Sequence, residues 1–432
     1  MRYGALVALA TILLSTAAVA DDLPGSAASN RKLAFIIPNL YGPGGLTLPN
    51  QEHVAHFDSA FQTSFAPFNS AIASQLSSLP IPSPASGFTY TFDKSLGVTT
   101  RSAQSFGPIL GERAETIGKD KFYFGFAYQL FRFDSIDGIP LHRVPAVFQH
   151  GEAPNPEFAK DLITTNNFLD LNVGQFTTFV TYGLLDRMDI SVAAPLITSS
   201  LTVTSDAKIQ RIGTRTDTSI HFFPTQTGDR SQQQFHGAGA ATGLGDVVVR
   251  VKGTVLRGRS AGLAIGLDLR APTGDEYNFL GSGAVGAKPF LALSFRAGRV
   301  SPHLNGAFQW NGKSVLGGNV VTGRKEKLPN EFSYVAGADI GVTRKFTLAM
   351  DVLGQLVPDA PLVRLASITA SDGARFPNIR FSRGRRQPVN LATGFKINGV
   401  GNLLVAFNVL FKLNDDGLRG RVAPMIGVSY TF

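Results

Sequence analysis

The feature that most constrains this chain is a two-residue hydrophobic period that recurs in short segments down to its last residue. Val422, Pro424, Ile426, Val428, Tyr430 and Phe432 share one face, and Arg421, Ala423, Met425, Gly427, Ser429 and Thr431 the other. Upstream, Leu403, Val405, Phe407, Val409 and Phe411 oppose Asn408 and Lys412, and Val389, Leu391, Phe395 and Ile397 oppose Lys396. Phe346, Leu348, Met350 and Val352 oppose Asp351; Leu263, Ile265, Leu267 and Leu269 oppose Asp268 and Arg270; Val247, Val249 and Val251 oppose Asp246, Arg250 and Lys252. Successive side chains of a strand point to opposite faces. Repeated segments with one apolar and one small or polar face, separated by turns, are the pattern of an all-β transmembrane up-and-down barrel. Near Gln175 the apolar phase changes, from Leu169, Leu171 and Val173 to Phe176, Val180 and Tyr182, which predicts a bulge there.

Connection lengths agree with a barrel. Short turns fall at 185–187, 257–260, 297–300, 343–345 and at Asn398-Gly399, and long connections are expected at 135–166, 205–243, 272–283, 313–330 and 358–387. Short turns on the periplasmic side and long loops outside are the usual asymmetry, and the strand number should be even. Residues 118–432 predict about 12 strands, and a further hairpin at 87–116 would raise the count to about 14, the count adopted here. The closing Tyr430 and Phe432 resemble the signal by which barrel-assembly machinery recognises bacterial outer-membrane proteins.

Arg2, the apolar run over 4–14 and Ala18-Val19-Ala20 read as a secretory signal peptide over 1–20, cleaved between Ala20 and Asp21. No later stretch is long and apolar enough for a spanning helix. Only 16% of residues are charged and there is no cysteine, so an exported chain of this size must hold together without disulfides. The bacterial outer membrane is the expected location. The net charge of +9 suits anionic head groups or solutes; nucleic acid is excluded by the compartment and by the scatter of the basic residues.

Residues 21–86 differ. Val54, Phe57, Phe61, Phe65, Phe68, Ile72, Leu76 and Leu79 recur at helical spacing, with Pro67 expected to kink or divide the helix. This segment could plug the lumen, or it could cover the periplasmic mouth or merely tether the chain. The domain division is then signal 1–20, N-terminal segment 21–86 and barrel 87–432.

Gly243-Leu244-Gly245-Asp246 with Arg250 and Lys252, then Pro272-Thr273-Gly274-Asp275, resemble the outer-membrane transporter family named for the meta pathway of phenol degradation. Phe106-Gly107-Pro108, Glu112-Arg113-Ala114, Thr116-Ile117-Gly118 and Asp137-Gly138 are similar to an N-terminal block of that family. The resemblance spans most of the chain after about residue 85. It implies a barrel related to the fatty-acid and aromatic-hydrocarbon transporters, although no Asn-Pro-Ala hatch motif is present. By themselves the glycines and the Pro-Thr-Gly-Asp turn read first as fold-shaping features.

If the apolar faces meet lipid, Asp246, Arg250, Lys252, Asp268, Arg270, Lys288, Arg296, Asp339, Asp351, Lys396, Lys412 and Arg421 point into the lumen. Their cationic bias would favour small anions in an open pore, or the charges could pair and rigidify the interior. Arg375, Arg380, Arg383, Arg385 and Arg386 cluster in an expected outer loop, where they could meet lipopolysaccharide phosphates or simply be solvated. Glu52, His53 and His56 lack zincin spacing, and no nucleophile-elbow or triad motif is found, so no metal or cofactor is implied. The sequence points to an outer-membrane channel for small molecules, with a sealed structural or adhesive barrel, or an outer-membrane hydrolase, as the other readings.

Overall fold

The computed structural model describes residues 32–42, 45–49, 57–63, 65–76, 79–83, 87–93, 98–101, 105–151, 157–224 and 230–432. The expected signal segment with Ala20 and Asp21, and the Glu52, His53 and His56 group, lie outside these residues.

The described chain builds a closed antiparallel wall of 12 strands. They are β1 (Phe122–Phe133), β2 (Leu162–Leu185), β3 (Met188–Gln210), β4 (Val247–Arg257), β5 (Ala261–Ala271) and β6 (Gly286–Phe295). β7 (Val300–Asn311), β8 (Glu331–Thr343), β9 (Phe346–Thr369), β10 (Val389–Asn398), β11 (Leu403–Lys412) and β12 (Val422–Thr431) complete it. Each strand pairs with its sequence neighbour, and β1 pairs with both β12 and β2, so the sheet has no open edge within the wall. Closure satisfies every ladder group internally, the condition for crossing hydrocarbon with strands. Lipid-facing positions are apolar, among them Val249, Val251, Ile265, Leu267, Leu269, Leu348, Met350 and Ile426. An aromatic girdle marks the short-turn end: Phe122 lies against Tyr182, Phe346 stacks on Phe395, and Tyr430 lies against Phe432. A closed wall with this exterior is an outer-membrane barrel.

The strand count corrects the expected 14. Tyr90–Asp93 and Val98–Arg101 pair only with each other, and residues 105–118 leave the wall for the interior. The reason is closure: β1 already sits between β2 and β12, so no edge is left for another hairpin to extend. The wall therefore begins at Phe122 rather than at residue 87.

The expected bulge at Gln175 is absent. β2 keeps one register with β1 and β3 through Gln175, and its odd-numbered residues stay buried. What changes is the surroundings. β2 and β3 run 24 and 23 residues, at about 3.3 Å each far longer than a band of about 25 Å requires. Below Gly174 the outward residues Phe176, Val180 and Tyr182 meet lipid. Above it Asp170 and Asn172 point outward into water, and Leu169, Leu171 and Val173 pack the interior.

Two expected long loops are likewise extended hairpins. Gln232–Leu244 pairs with the upper part of β3, and Arg375–Arg386 pairs with the upper part of β9. The arginine cluster thus lies on a strand. Arg383 makes a two-pronged pair with Asp359, Arg386 is buried, and Arg375, Arg380 and Arg385 are exposed.

Residues 60–63 and Phe65–Leu76 (α1) are helical, but the expected helix is shorter than its spacing implied. Phe57 lies in a short strand, Phe57–Ser59, that pairs with residues 148–150, Leu79 is outside the helix, and Val54 lies outside the described residues. Phe61, Phe68 and Ile72 are fully buried, and Phe68 meets Phe381 of the upper hairpin. Among the described residues no helix is long and apolar enough to cross a membrane.

Placing a cation on the lipid face should be costly only inside the membrane band. Leu267→Arg, near the middle of β5, should lower stability by about 2–4 kcal/mol. Thr202→Arg, outward on β3 above the band, should change it by less than about 0.5 kcal/mol. Denaturant midpoints of protein folded in lipid vesicles check both; equal losses would contradict the assigned membrane boundary.

Candidate functional site: a strapped lumen

Residues 105–118 form a strap through the barrel interior, and side chains of the wall hold its backbone. The N–H groups of Phe106, Glu112, Ala114 and Ile117 donate to Thr347 Oγ1 (3.0 Å), Asn305 Oδ1 (2.7 Å), Ser294 Oγ (2.8 Å) and Asp189 Oδ2 (3.0 Å). Its carbonyls accept in return. Lys396 Nζ reaches Phe106 O (3.2 Å) and Pro108 O (2.5 Å), Lys252 Nζ reaches Arg113 O (3.3 Å), and Thr254 Oγ1 reaches Ala114 O (2.6 Å). A peptide crossing the lumen brings polar groups that must be satisfied, and the small-or-polar inner face of the strands supplies the partners. Gly107 and Gly118, with φ of +74° and +100°, make the turns at either side of this stretch.

Charge pairing fixes the strap's middle. Arg250 donates to Glu112 and, two-pronged, to Asp268 (2.6 and 2.8 Å), while Lys252 Nζ stands 3.4 Å from the other Glu112 oxygen. Lys288 lies 3.4 Å from Asp268, and Arg296 pairs with Glu115 of the strap at 3.1 Å. His303 sits between Asp351 (2.7 Å) and Asp339 (3.6 Å), and Arg270 lies 3.6 Å from Asp246. The structure thus brings together Arg250, Lys252, Asp268, Lys288, Arg296, Asp339, Asp351 and Lys396 around the strap. It leaves Lys412 and Arg421 at the outer rim, with Asp415 and Asp134, where Arg421 is 88% exposed.

Asp246 has a different task. Its carboxylate accepts from Gly274 N (3.2 Å) and Ser282 N (2.8 Å), while Thr273 Oγ1 donates to Gly245 O (2.6 Å) and accepts from Val247 N (3.0 Å). The Gly-Leu-Gly-Asp and Pro-Thr-Gly-Asp segments therefore sew the junction above β4 to the loop after β5. Asp275 caps the short helical turn at Glu276–Asn278.

Above the strap lies a cavity of about 240 Å³. Leu76, Leu79 and Ile81 of the N-terminal segment form one side, Val173, Ile197 and Val248 the wall, and Arg250, Arg270 and Lys288 a polar flank. Sequence reasoning missed Glu112, Asn305 and Ser294 as interior partners. Strand period marks an inward side chain but not what fills the space it faces.

Outside the wall, Asp161 anchors the outer loop. It accepts from the N–H of Ile212 and Gly213 (both 2.8 Å), from Thr214, and from His221 Nδ1 (2.7 Å). Burial alone would raise this carboxyl, but these hydrogen bonds outweigh it and hold it at about 2. The ring of His221 lies beside that of His150, and Phe57 packs on both. Among the described residues no group of three or more histidine and acidic side chains is placed to hold a metal.

No family model matches the chain, and no curated protein matches it. Among solved structures it is similar to an outer membrane channel from Pseudomonas putida F1, at 14% identity and TM-score 0.46, over 74% of this chain and 98% of that one. It is also similar to the toluene transporter TbuX of Ralstonia pickettii, at 10% identity and TM-score 0.35, over 77% and 96%. A FadL homologue of Pseudomonas aeruginosa matches at 10% identity and TM-score 0.32, over 80% and 99%. The fold assignment rests on the closed hydrogen-bonded wall itself.

Glu112→Gln should leave Arg250 and Lys252 short of a counter-charge and loosen the strap, since breaking a buried pair costs about 3–5 kcal/mol. Single-channel recordings in a planar bilayer should show larger or more frequent openings than the parent; identical traces would refute the strap's ionic latch. The Asp161 carboxyl is depressed in the folded state, so its contribution is complete above its ordinary value near 4 and is lost as pH falls through about 2. Hydrogen exchange at residues 212–214, corrected for intrinsic rates, should stay slow at pH 5 and quicken across that window, and Asp161→Asn should already be fast at pH 5.

Proposed function

We propose that this protein is an outer-membrane channel for small, largely apolar molecules, held closed at rest by its lumen strap. The observation that carries the reading is the cavity resting on the strap, with an aliphatic side contributed by both the wall and the N-terminal segment and a strongly polar side that includes Glu112, Asp246, Arg250, Arg270, Lys288 and Glu331. A sealed structural barrel has no need of such a space. Ligand sites are typically concave with an apolar surface and placed polar groups, and this cavity sets an aliphatic side against a charged one. The likeness of the Gly-Leu-Gly-Asp and Pro-Thr-Gly-Asp segments to transporters named for phenol degradation supports an aromatic or similarly apolar cargo.

The inward cations serve this reading as holders of the strap rather than as an anion filter. Arg250, Lys252 and Lys288 share the carboxylates of Glu112 and Asp268, and Arg296 pairs with Glu115, so much of the positive field of these cations is compensated within the interior.

Uptake of a small fluorescent aromatic by vesicles whose outer leaflet is lipopolysaccharide tests the proposal, because that leaflet slows apolar molecules on its own. Protein-bearing vesicles should fill several-fold faster than empty ones, and Val248→Trp, which occupies the cavity, should abolish most of the difference. Equal rates with and without well-folded protein would leave the sealed structural barrel as the better account.

A further inference from the structure

We propose that the periplasmic rim binds anionic phospholipid head groups of the inner leaflet through a basic arc built from four successive short turns. The turns at 185–187, 257–260, 296–299 and 343–345 join β2 to β3, β4 to β5, β6 to β7 and β8 to β9, so they are neighbours around the ring. Between them they carry Arg187, Arg257, Arg259, Arg296, Arg299, Arg344 and Lys345. The only acid in these turns is Asp186, and the nearby Glu115 is taken by Arg296. The next turn around the ring on one side, 399–402, carries no charge, while on the other side Lys119, Asp120 and Lys121 lead into β1.

Three of the arginines fasten the turns to one another. Arg257 donates to Asp186 O (2.7 Å), Arg296 to Arg259 O (3.1 Å) and Arg299 to Val342 O (3.4 Å). Each bond spans from one turn to the adjacent hairpin, which makes the arc a pre-formed surface. The remaining cations, Arg187, Arg259, Arg344 and Lys345, are exposed and make no side-chain hydrogen bond or ion pair among the described residues.

Their height in the membrane selects the partner. Leu185, Leu256, Phe295 and Val342, all exposed on the lipid side, stand one to three residues before a cation of the arc. The arc therefore continues the lipid-facing surface directly into the head-group layer, where long basic side chains reach phosphate while their stems stay against apolar surface. Basic residues so placed gain most from anionic lipid, and the gain fades beyond a Debye length. A soluble acidic protein would have to approach a surface already flanked by head groups.

The test is native mass spectrometry of the full chain released from nanodiscs of equal parts phosphatidylcholine and phosphatidylglycerol. Retained lipid should favour phosphatidylglycerol, by roughly five-fold for each cation engaged. The combined variant Arg187→Gln, Arg259→Gln, Arg344→Gln and Lys345→Gln removes only exposed side chains and should bring the ratio close to that of the disc. A control of equal size at the outer end, Arg364→Gln, Arg375→Gln, Arg380→Gln and Arg385→Gln, should keep the preference. Equal retention of the two lipids, or a preference that survives in the arc variant, overturns the proposal. Transport is not read in this experiment, so its outcome is independent of whether the barrel conducts.

Discussion

In hydrocarbon an unpaired peptide group costs several kcal/mol, and the architecture follows from meeting that constraint without water. The wall meets it by closure: β1 is bonded to β12 on one side and to β2 on the other, so no strand within the membrane band has a bare edge. Closure also divides each strand into a lipid face and a lumen face, because the side-chain period is two. The outward face becomes aliphatic and aromatic, and the inward face must be small or polar. Eight strands would leave an interior that side chains alone can fill; 12 leave more. The surplus space is what the strap and the N-terminal segment occupy.

The strap solves the same problem a second time. Its peptide groups enter the barrel interior, and many of them are matched by wall residues such as Asn305, Ser294, Thr254 and Lys396. Glu112 anchors it between Arg250 and Lys252, contributed by one strand at the spacing of two that puts both on the lumen face. Buried charge pairs add little net stability compared with apolar packing, but they are unforgiving of displacement. That suits a part whose job is to hold one position. The chain has no cysteine, so the hold is non-covalent throughout and can be released without redox chemistry.

Much of the wall was legible because its signal is repetitive. The alternation in β4, β5 and β9 to β12 and the turns near 186, 258, 298 and 344 emerge from period and turn chemistry alone. What misled was local likeness without topology. Residues 90–93 alternate as wall strands do, yet they pair only with 98–101, since closure leaves no vacancy. At Gln175 the hydrophobic phase reverses not because the strand slips but because it leaves the membrane, after which water lies outside and the protein core inside. Glu112 was hidden for a related reason. Its partners Arg250 and Lys252 lie on a distant strand, and no local pattern shows which lumen cations a crossing segment will meet.

The number of bonds on the strap also limits how a closed barrel of this kind can open. The strap makes about eight side-chain contacts to the wall besides its charge pairs, each worth about 1 kcal/mol net and more where charge assists. Complete withdrawal would cost on the order of 10 kcal/mol by that measure, leaving too few open barrels to carry flux. A local shift is far cheaper. Gly107 and Gly118 have positive φ at the two ends of the stretch, and neighbouring bonds can break while the Glu112 latch between them holds, or the latch can break while the ends hold. The cavity lies against that latch, with Arg250 in its lining, so a solute settling there touches the group whose movement would matter most. If the barrel conducts as proposed, partial displacement at Arg250 and Glu112, with the rest of the strap left in place, is the opening that the energetics of this interior favour.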